Sequence, residues 1–223
     1  DGGSVLVVGR APRSSENAGT YAVGIDTETW QPAFRIRLPD ITPLWVTFSA
    51  DNKYAYMNDS RGNAVVQYDR ATNEIVALAP SGIEKPYGAH FDWQDRYLFS
   101  VGEDPTSQTR GRAIGVIDTR LLGASSDAGQ ASYPVVCNRA NHATLHPNPD
   151  VNELWITCDA TGEILVFDMA ARSVTARIAL PDGGSIHPGS FVNYLGWDGE
   201  VVSDLNGLRG SALLLKRQRL APN

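Results

Sequence analysis

The sequence predicts an all-β fold, a β-propeller of four-stranded antiparallel blades, and two observations carry that expectation. One phrase, an apolar strand end followed by Asp and a turn, recurs at Asp26, Asp69, Asp118 and Asp168. The steps between copies are 43, 49 and 50 residues, the period of propeller blades. Between copies lie short alternating segments separated by turn residues, the pattern of strands in tight hairpins. About five units fit, with approximate bounds 1–38, 39–84, 85–136, 137–182 and 183–223. They form a single domain, either a ring of five or an incomplete part of a larger one.

The second unit shows the complete blade. Leu44–Ser49 is its innermost strand, Ala50–Lys53 a turn, Tyr54–Met57 the second strand, Asp59–Asn63 a turn, Ala64–Asp69 the third strand and Glu74–Leu78 the outermost. The fourth unit repeats this order with Ala143–Leu145, Glu153–Thr157, Ile164–Asp168 and Ser173–Ile178. The third has Ala89–Asp92 and Arg96–Val101, then a polar insert from Pro105 to Arg112 and a second loose stretch, Leu122–Gln130, read as a solvated loop. The first unit opens on Val5–Gly9, which matches a second strand, so an innermost strand is missing there. The last offers Phe191–Tyr194, Glu200–Asp204 and Ala212–Leu215 as three strands. Strands lacking at the two ends would leave unpaired edges, a liability in solution. Either the ring closes with five blades, or further residues beyond this sequence or another chain complete it; the expected partner is another protein chain or subunit completing or docking on the ring.

Composition narrows the function classes. Hydrophobic residues make up 42% and charged residues 20% of the 223, as in packed globular proteins. The net charge of −6 and the scattered Lys and Arg exclude a nucleic-acid partner. Apolar runs such as Ser4–Val8 are too short for transmembrane helices. No Cys-x-x-Cys-His is present, which excludes covalent c-type haem within this sequence. There is no Gly-x-Ser-x-Gly, Walker loop or His-Glu-x-x-His either.

The stretch Phe48-Ser49-Ala50-Asp51-Asn52-Lys53-Tyr54-Ala55-Tyr56-Met57, followed by Asn63-Ala64-Val65-Val66-Gln67-Tyr68-Asp69-Arg70-Ala71-Thr72-Asn73, resembles the blade consensus of the YVTN-type β-propellers. That family shares its pattern with the cytochrome d1-type haem-binding propellers. The resemblance covers most of the chain and implies the fold. It leaves function open, because such propellers include lactone hydrolases, tetrapyrrole-binding proteins, dehydrogenase subunits and scaffolds. It also implies export, to the periplasm or beyond the cell.

In a propeller, ligands bind at the central channel, lined by innermost strands, the loops entering them and the loops facing them. That position selects Trp45, Tyr87, His90, Asn138, Arg139, Asn141, His142 and His187, with Asp59, Glu103, Asp159 and Asp204 on the facing loops. His90, His142 and His187 are the candidate ligands for haem iron or copper. His142 and His146 cannot share one ion, since residues four apart on a strand stand about 13 Å apart; His146, before Pro147-Asn148-Pro149, reads as a turn residue. Trp155 reads as packing between blades. The turn carboxylates are most simply caps for backbone N–H groups. Cys137, approaching an innermost strand, and Cys158, ending the next strand, fall on one face of a blade. A disulfide is expected there, implying an oxidising compartment; the alternatives are two buried thiols or copper-binding thiolates beside His142.

These readings lead to a non-catalytic exported propeller that serves as a binding or assembly subunit. A redox protein holding haem or copper in the channel is the alternative. A lactone hydrolase comes third, because no acid–base constellation stands out.

Overall fold

The computed structural model describes residues 4–11, 19–38, 41–102, 113–124, 128–135, 137, 139–184, 189–193 and 198–222. They build five antiparallel sheets. The first holds β1 (Ser4–Ala11), β2 (Gly19–Asp26) and β3 (Pro32–Leu38). The second holds β4 (Pro43–Phe48), β5 (Tyr54–Asp59), β6 (Ala64–Asp69) and β7 (Glu74–Pro80). The third holds β8 (Pro86–Phe91), β9 (Tyr97–Gly102), β10 (Ala113–Asp118) and β11 (Ala131–Pro134), and the fourth β12 (Ala140–Leu145), β13 (Glu153–Cys158), β14 (Glu163–Asp168) and β15 (Ser173–Ala179). The fifth holds β16 (Phe191–Asn193), β17 (Glu200–Asp204) and β18 (Gly207–Leu208) and is followed by helix α1 (Gly210–Leu220). Within every sheet the strands follow chain order. This is a β-propeller, as the period predicted, with three complete blades and two three-stranded ones among the described residues.

The recurring Asp makes each blade's outer turn. Asp69 Oδ1 accepts from the N–H groups of Ala71 (2.8 Å) and Thr72 (3.2 Å). Asp168 Oδ1 accepts from Ala170 (2.7 Å) and Ala171 (2.8 Å), and Asp26 Oδ1 from Glu28 and Thr29. Four residues after each of these three, Trp30, Asn73 and Arg172 adopt positive φ, at 56°, 61° and 56°, the left-handed step that turns the chain back into the outermost strand. In the third blade Asp118 instead caps a short 3-10 turn at Thr119–Leu121. The Arg120 hydrogen bond, helped by Arg96 and opposed by partial burial, holds its carboxyl down at about 2.

Apolar side chains from adjacent blades meet to form the core. One cluster joins Leu38 and Ile41 to Met57, Val66 and Tyr68, between the first and second blades. Another joins Tyr56 and Val65 to Phe91, Leu98 and Ile117. The largest runs from Phe99 and Ile114 through Leu154 and Phe167 to Val202 and Leu208. Trp155 lies at the fourth junction, 5.1 Å from Phe191 between ring centroids. β4 packs on β8 and β8 on β12, so innermost strands face a common axis. Thr47 of β4 donates to the carbonyl of Asn206 (3.1 Å), tying the fifth blade to the second.

Two expectations need correction. Ala212–Leu215 is not a strand but part of α1. The stretch Gly210–Leu220 contains no β-branched residue and is rich in Ala, Leu, Lys, Arg and Gln, the strong helix formers. Leu122–Gln130 is not simply a solvated loop. Ala128 is fully buried and its carbonyl accepts from Asp118 N–H, while Leu122 packs on the core of the second and third blades.

Helix α1 crosses the ends at which the innermost strands finish. Lys216, buried at 4% exposure, places Nζ 2.5 Å from the Asp92 carbonyl oxygen and 2.5 Å from Asp95 Oδ1. Arg217 Nε donates to the Ala50 carbonyl at 2.6 Å. Asp95 Oδ2 in turn accepts from Ala50 N–H at 2.6 Å, so one carboxylate links the helix to the turns of two blades. No helix among the described residues is long and apolar enough to cross a membrane.

Candidate functional site

The innermost strands of the three complete blades share a defect. Each carries one extra residue relative to its partner strand, between Pro43 and Trp45 in β4, between Pro86 and Ala89 in β8 and between Ala140 and Ala143 in β12. Such bulges break the alternation of the pleat and re-aim side chains. Here Tyr87 and His142 fall within two bulges and Trp45 ends the third.

The result is one cluster contributed by three blades. The Trp45 ring lies 5.8 Å from Tyr87, 6.2 Å from His90 and 5.3 Å from His142, and Tyr87 meets His142 edge-on at 4.9 Å. Close strand approach makes this feasible. A side chain on Gly88 would come within 3.0 Å of Val101 and 3.6 Å of the Asn141 carbonyl.

Asn58 holds the β8 bulge from the neighbouring blade. Fully buried, it donates through Nδ2 to the carbonyls of Tyr87 and Gly88, both at 2.9 Å, and accepts from the Ser100 hydroxyl at 3.0 Å. Thr157 does the equivalent for β12, accepting from His142 N–H (3.2 Å) and donating to its carbonyl (3.3 Å). Neither residue stood out in the sequence. The available signal was a polar residue within an otherwise apolar second strand, at Asn58 in β5 and Thr157 in β13.

Several polar atoms in the cluster are buried without a protein hydrogen bond of normal geometry. They are Nε1 of Trp45, both ring nitrogens of His90, and Oδ1 and Nδ2 of Asn141. Leaving such groups unsatisfied costs about 1–3 kcal/mol each. His90 is 1% exposed. Burial, and to a lesser degree the neighbouring His142, push its pKa down to about 3; the nearby Ala143 backbone favours the charged ring only weakly. The imidazole is therefore neutral across the physiological range.

This has a consequence for stability. In the unfolded chain the ring titrates near 6.5. Below that pH the unfolded state takes up a proton that the folded state refuses until about pH 3, so stability is full above about 6.5 and declines as the pH falls. Denaturant midpoints measured from pH 7 to 4 are expected to fall, and His90→Phe to remove up to about 1.4 kcal/mol per pH unit of that slope. An unchanged slope in the variant would show that His90 titrates normally.

The other predicted site residues take different positions. Arg139 pairs with Asp159 (3.0 Å) at the entrance to β12. Asp204 accepts from Asn206 N–H and pairs with Arg209 (2.7 Å) in the fifth blade. Asp59, 2% exposed, accepts from Thr42 and Arg61 N–H and so fastens the entry to β4. His146 accepts from Asn148 N–H through Nδ1, as a turn residue does. His187, Asn138, Glu103 and the insert Pro105–Arg112 lie outside the described residues.

Cys137 and Cys158 form a disulfide with Cα atoms 5.8 Å apart. This replaces the alternatives of free thiols or copper-binding thiolates. Cys158 faces Ala140 across the ladder, immediately before the Asn141–His142 bulge, so the crosslink braces the cluster. Among the described residues no group of three or more His, Cys, Asp or Glu could hold a metal ion.

No protein-family model and no curated protein matches the chain. Solved structures do match. Kuenenia stuttgartiensis hydrazine synthase superimposes with a TM-score of 0.64 at 16% identity, over 83% of this chain and 48% of that one. The β-propeller domain of Myceliophteria thermophila Cps50 (Swd1) superimposes with a TM-score of 0.59 at 12% identity, over 85% and 55%. The chain thus spans about half the length of these structures, and at such identities the likeness establishes the β-propeller fold alone.

Proposed function

We propose that this chain is a non-catalytic, exported binding and assembly module whose channel takes a small uncharged ligand at Trp45, Tyr87, His90, Asn141 and His142. The carrying observation is the set of buried polar atoms without a hydrogen bond of normal geometry on Trp45 and Asn141, beside His90, whose ring has only a weak interaction with the Ala143 backbone. A ligand with hydrogen-bonding edges and an apolar body would satisfy them while stacking on the rings. A neutral ligand fits because no carboxylate or cation belongs to the cluster among its described members. The neutral His90, with its pKa near 3, is poorly matched to proton transfer near pH 7, which favours binding over catalysis.

Export rests on the Cys137–Cys158 disulfide, a bond that persists in oxidising compartments, and on the resemblance to YVTN-type propellers. The assembly role rests on the fold, which a propeller domain among the structural neighbours shares. The two structural neighbours, a synthase and a propeller domain, share a fold that serves either role.

Native mass spectrometry of the protein purified from its natural source tests the ligand site. The expected result is a non-covalent adduct that Asn141→Leu abolishes in recombinantly expressed protein supplied with the released ligand. Purely apo protein, or an adduct untouched by Asn141→Leu, counts against the site. A Soret band or stoichiometric copper would instead make the histidines metal ligands and displace this reading.

A further inference from the structure

A cleft of about 400 Å³ opens where the innermost strands end, between the second blade, the fifth blade and α1. It is separate from the aromatic cluster. Neither Trp45, Tyr87, His90 nor His142 lines it, and Phe48, Phe91 and Leu145, the last residues of β4, β8 and β12, do.

Its charge is one-sided. Arg70, Arg209, Lys216 and Arg217 line the cleft, and no Asp or Glu does among the described residues. In a protein of net charge −6, four cations around one cavity need a reason. Two are neutralised: Arg209 pairs with Asp204 and Lys216 with Asp95. The other two are held differently. Arg70 donates through one guanidinium nitrogen to the Asn52 carbonyl at 2.6 Å, and Arg217 through Nε to the Ala50 carbonyl at 2.6 Å.

Both guanidinium groups are thereby anchored on the turn between β4 and β5, and neither has a carboxylate partner among the described residues. Asp51, on the same turn, is engaged with the Ser49 hydroxyl and Lys53 N–H. A guanidinium has five N–H donors in a planar fork, and each of these two spends one on its carbonyl. The remaining donors of two positioned arginines suit a carboxylate. Beside them Phe48, Phe91, Leu208 and Leu213 supply apolar wall.

We propose that this cleft binds a small organic anion, a carboxylate on an apolar body, with Arg70 and Arg217 as its charge partners. Such a ligand would join the second blade to α1 through both arginines. The site is independent of the uncharged-ligand site proposed above, so either can fail alone.

Isothermal titration calorimetry with phenylacetate, and with phenylacetamide as its uncharged counterpart, tests the proposal. Phenylacetate is expected to bind at about millimolar Kd or tighter, and phenylacetamide about ten-fold more weakly. Added salt should narrow that gap. The double variant Arg70→Gln/Arg217→Gln should lose the preference for the anion, with circular dichroism and the melting temperature showing that it folds. Absence of phenylacetate binding to the wild-type protein, or equal binding of the amide, overturns the proposal without reference to any variant. Unchanged preference in a folded double variant overturns the assignment of the two arginines.

Discussion

Substituting alanine for both Cys137 and Cys158 is expected to lower the stability of the protein by about 3 kcal/mol, which for a domain of this size lowers Tm by roughly 6–12 °C. The crosslinked residues are 21 apart in sequence, and closing a loop of that length in the unfolded chain accounts for most of the effect. The effect is not purely global. Cys158 faces Ala140 just before the Asn141–His142 bulge, so hydrogen exchange at residues 139–143 should quicken more than in β6 or β7. Thermal melts with and without reductant, together with exchange measured by mass spectrometry, check both parts. A Tm unchanged by reduction would mean that the fold already holds these strands without the bond.

Asn58→Ala is expected to cost about 2–4 kcal/mol, because Asn58 is fully buried opposite Trp45 on the neighbouring strand. The substitution removes two donors from the Tyr87 and Gly88 carbonyls and the acceptor for Ser100 Oγ, all in a fully buried setting. Asn58→Asp should be at least as damaging. It keeps the acceptor for Ser100 but points a carboxylate oxygen at two carbonyls. Chemical denaturation gives the magnitude, and the fluorescence of Trp45, whose ring packs on Tyr87, reports whether the bulge has moved. A loss below about 0.5 kcal/mol would show that water replaces the amide at no cost and that Asn58 does not position the site.

Much of the architecture was legible because its causes are local. Asp26, Asp69 and Asp168 each cap backbone N–H groups two and three residues ahead, so a short phrase suffices to mark an outer turn. Strand alternation is equally local, and the innermost strands it located contain Trp45 and His90, while Tyr87 and His142 lie just before the stretches it marked. Not every candidate joins the cluster. Arg139, Asp159 and Asp59 share the right loops with the cluster but are spent on an ion pair and on turn hydrogen bonds. Sequence position places a side chain near the channel without saying which partner occupies it.

What the sequence determined by itself was the repeat: its period and the order of strands in the second and fourth blades, with a Cys137–Cys158 disulfide as an expectation beside free or copper-binding thiols. What only the tertiary structure decided was the site. The bulges at Leu44, Tyr87–Gly88 and Asn141–His142 depend on partners in other strands, Asn58 reaches across from the neighbouring blade, and α1 is tied to the turns of the third and second blades through Lys216 and Arg217. These are contacts between residues tens of positions apart. Their free energies depend on burial and geometry that no short segment encodes, so they become visible only when the blades stand side by side.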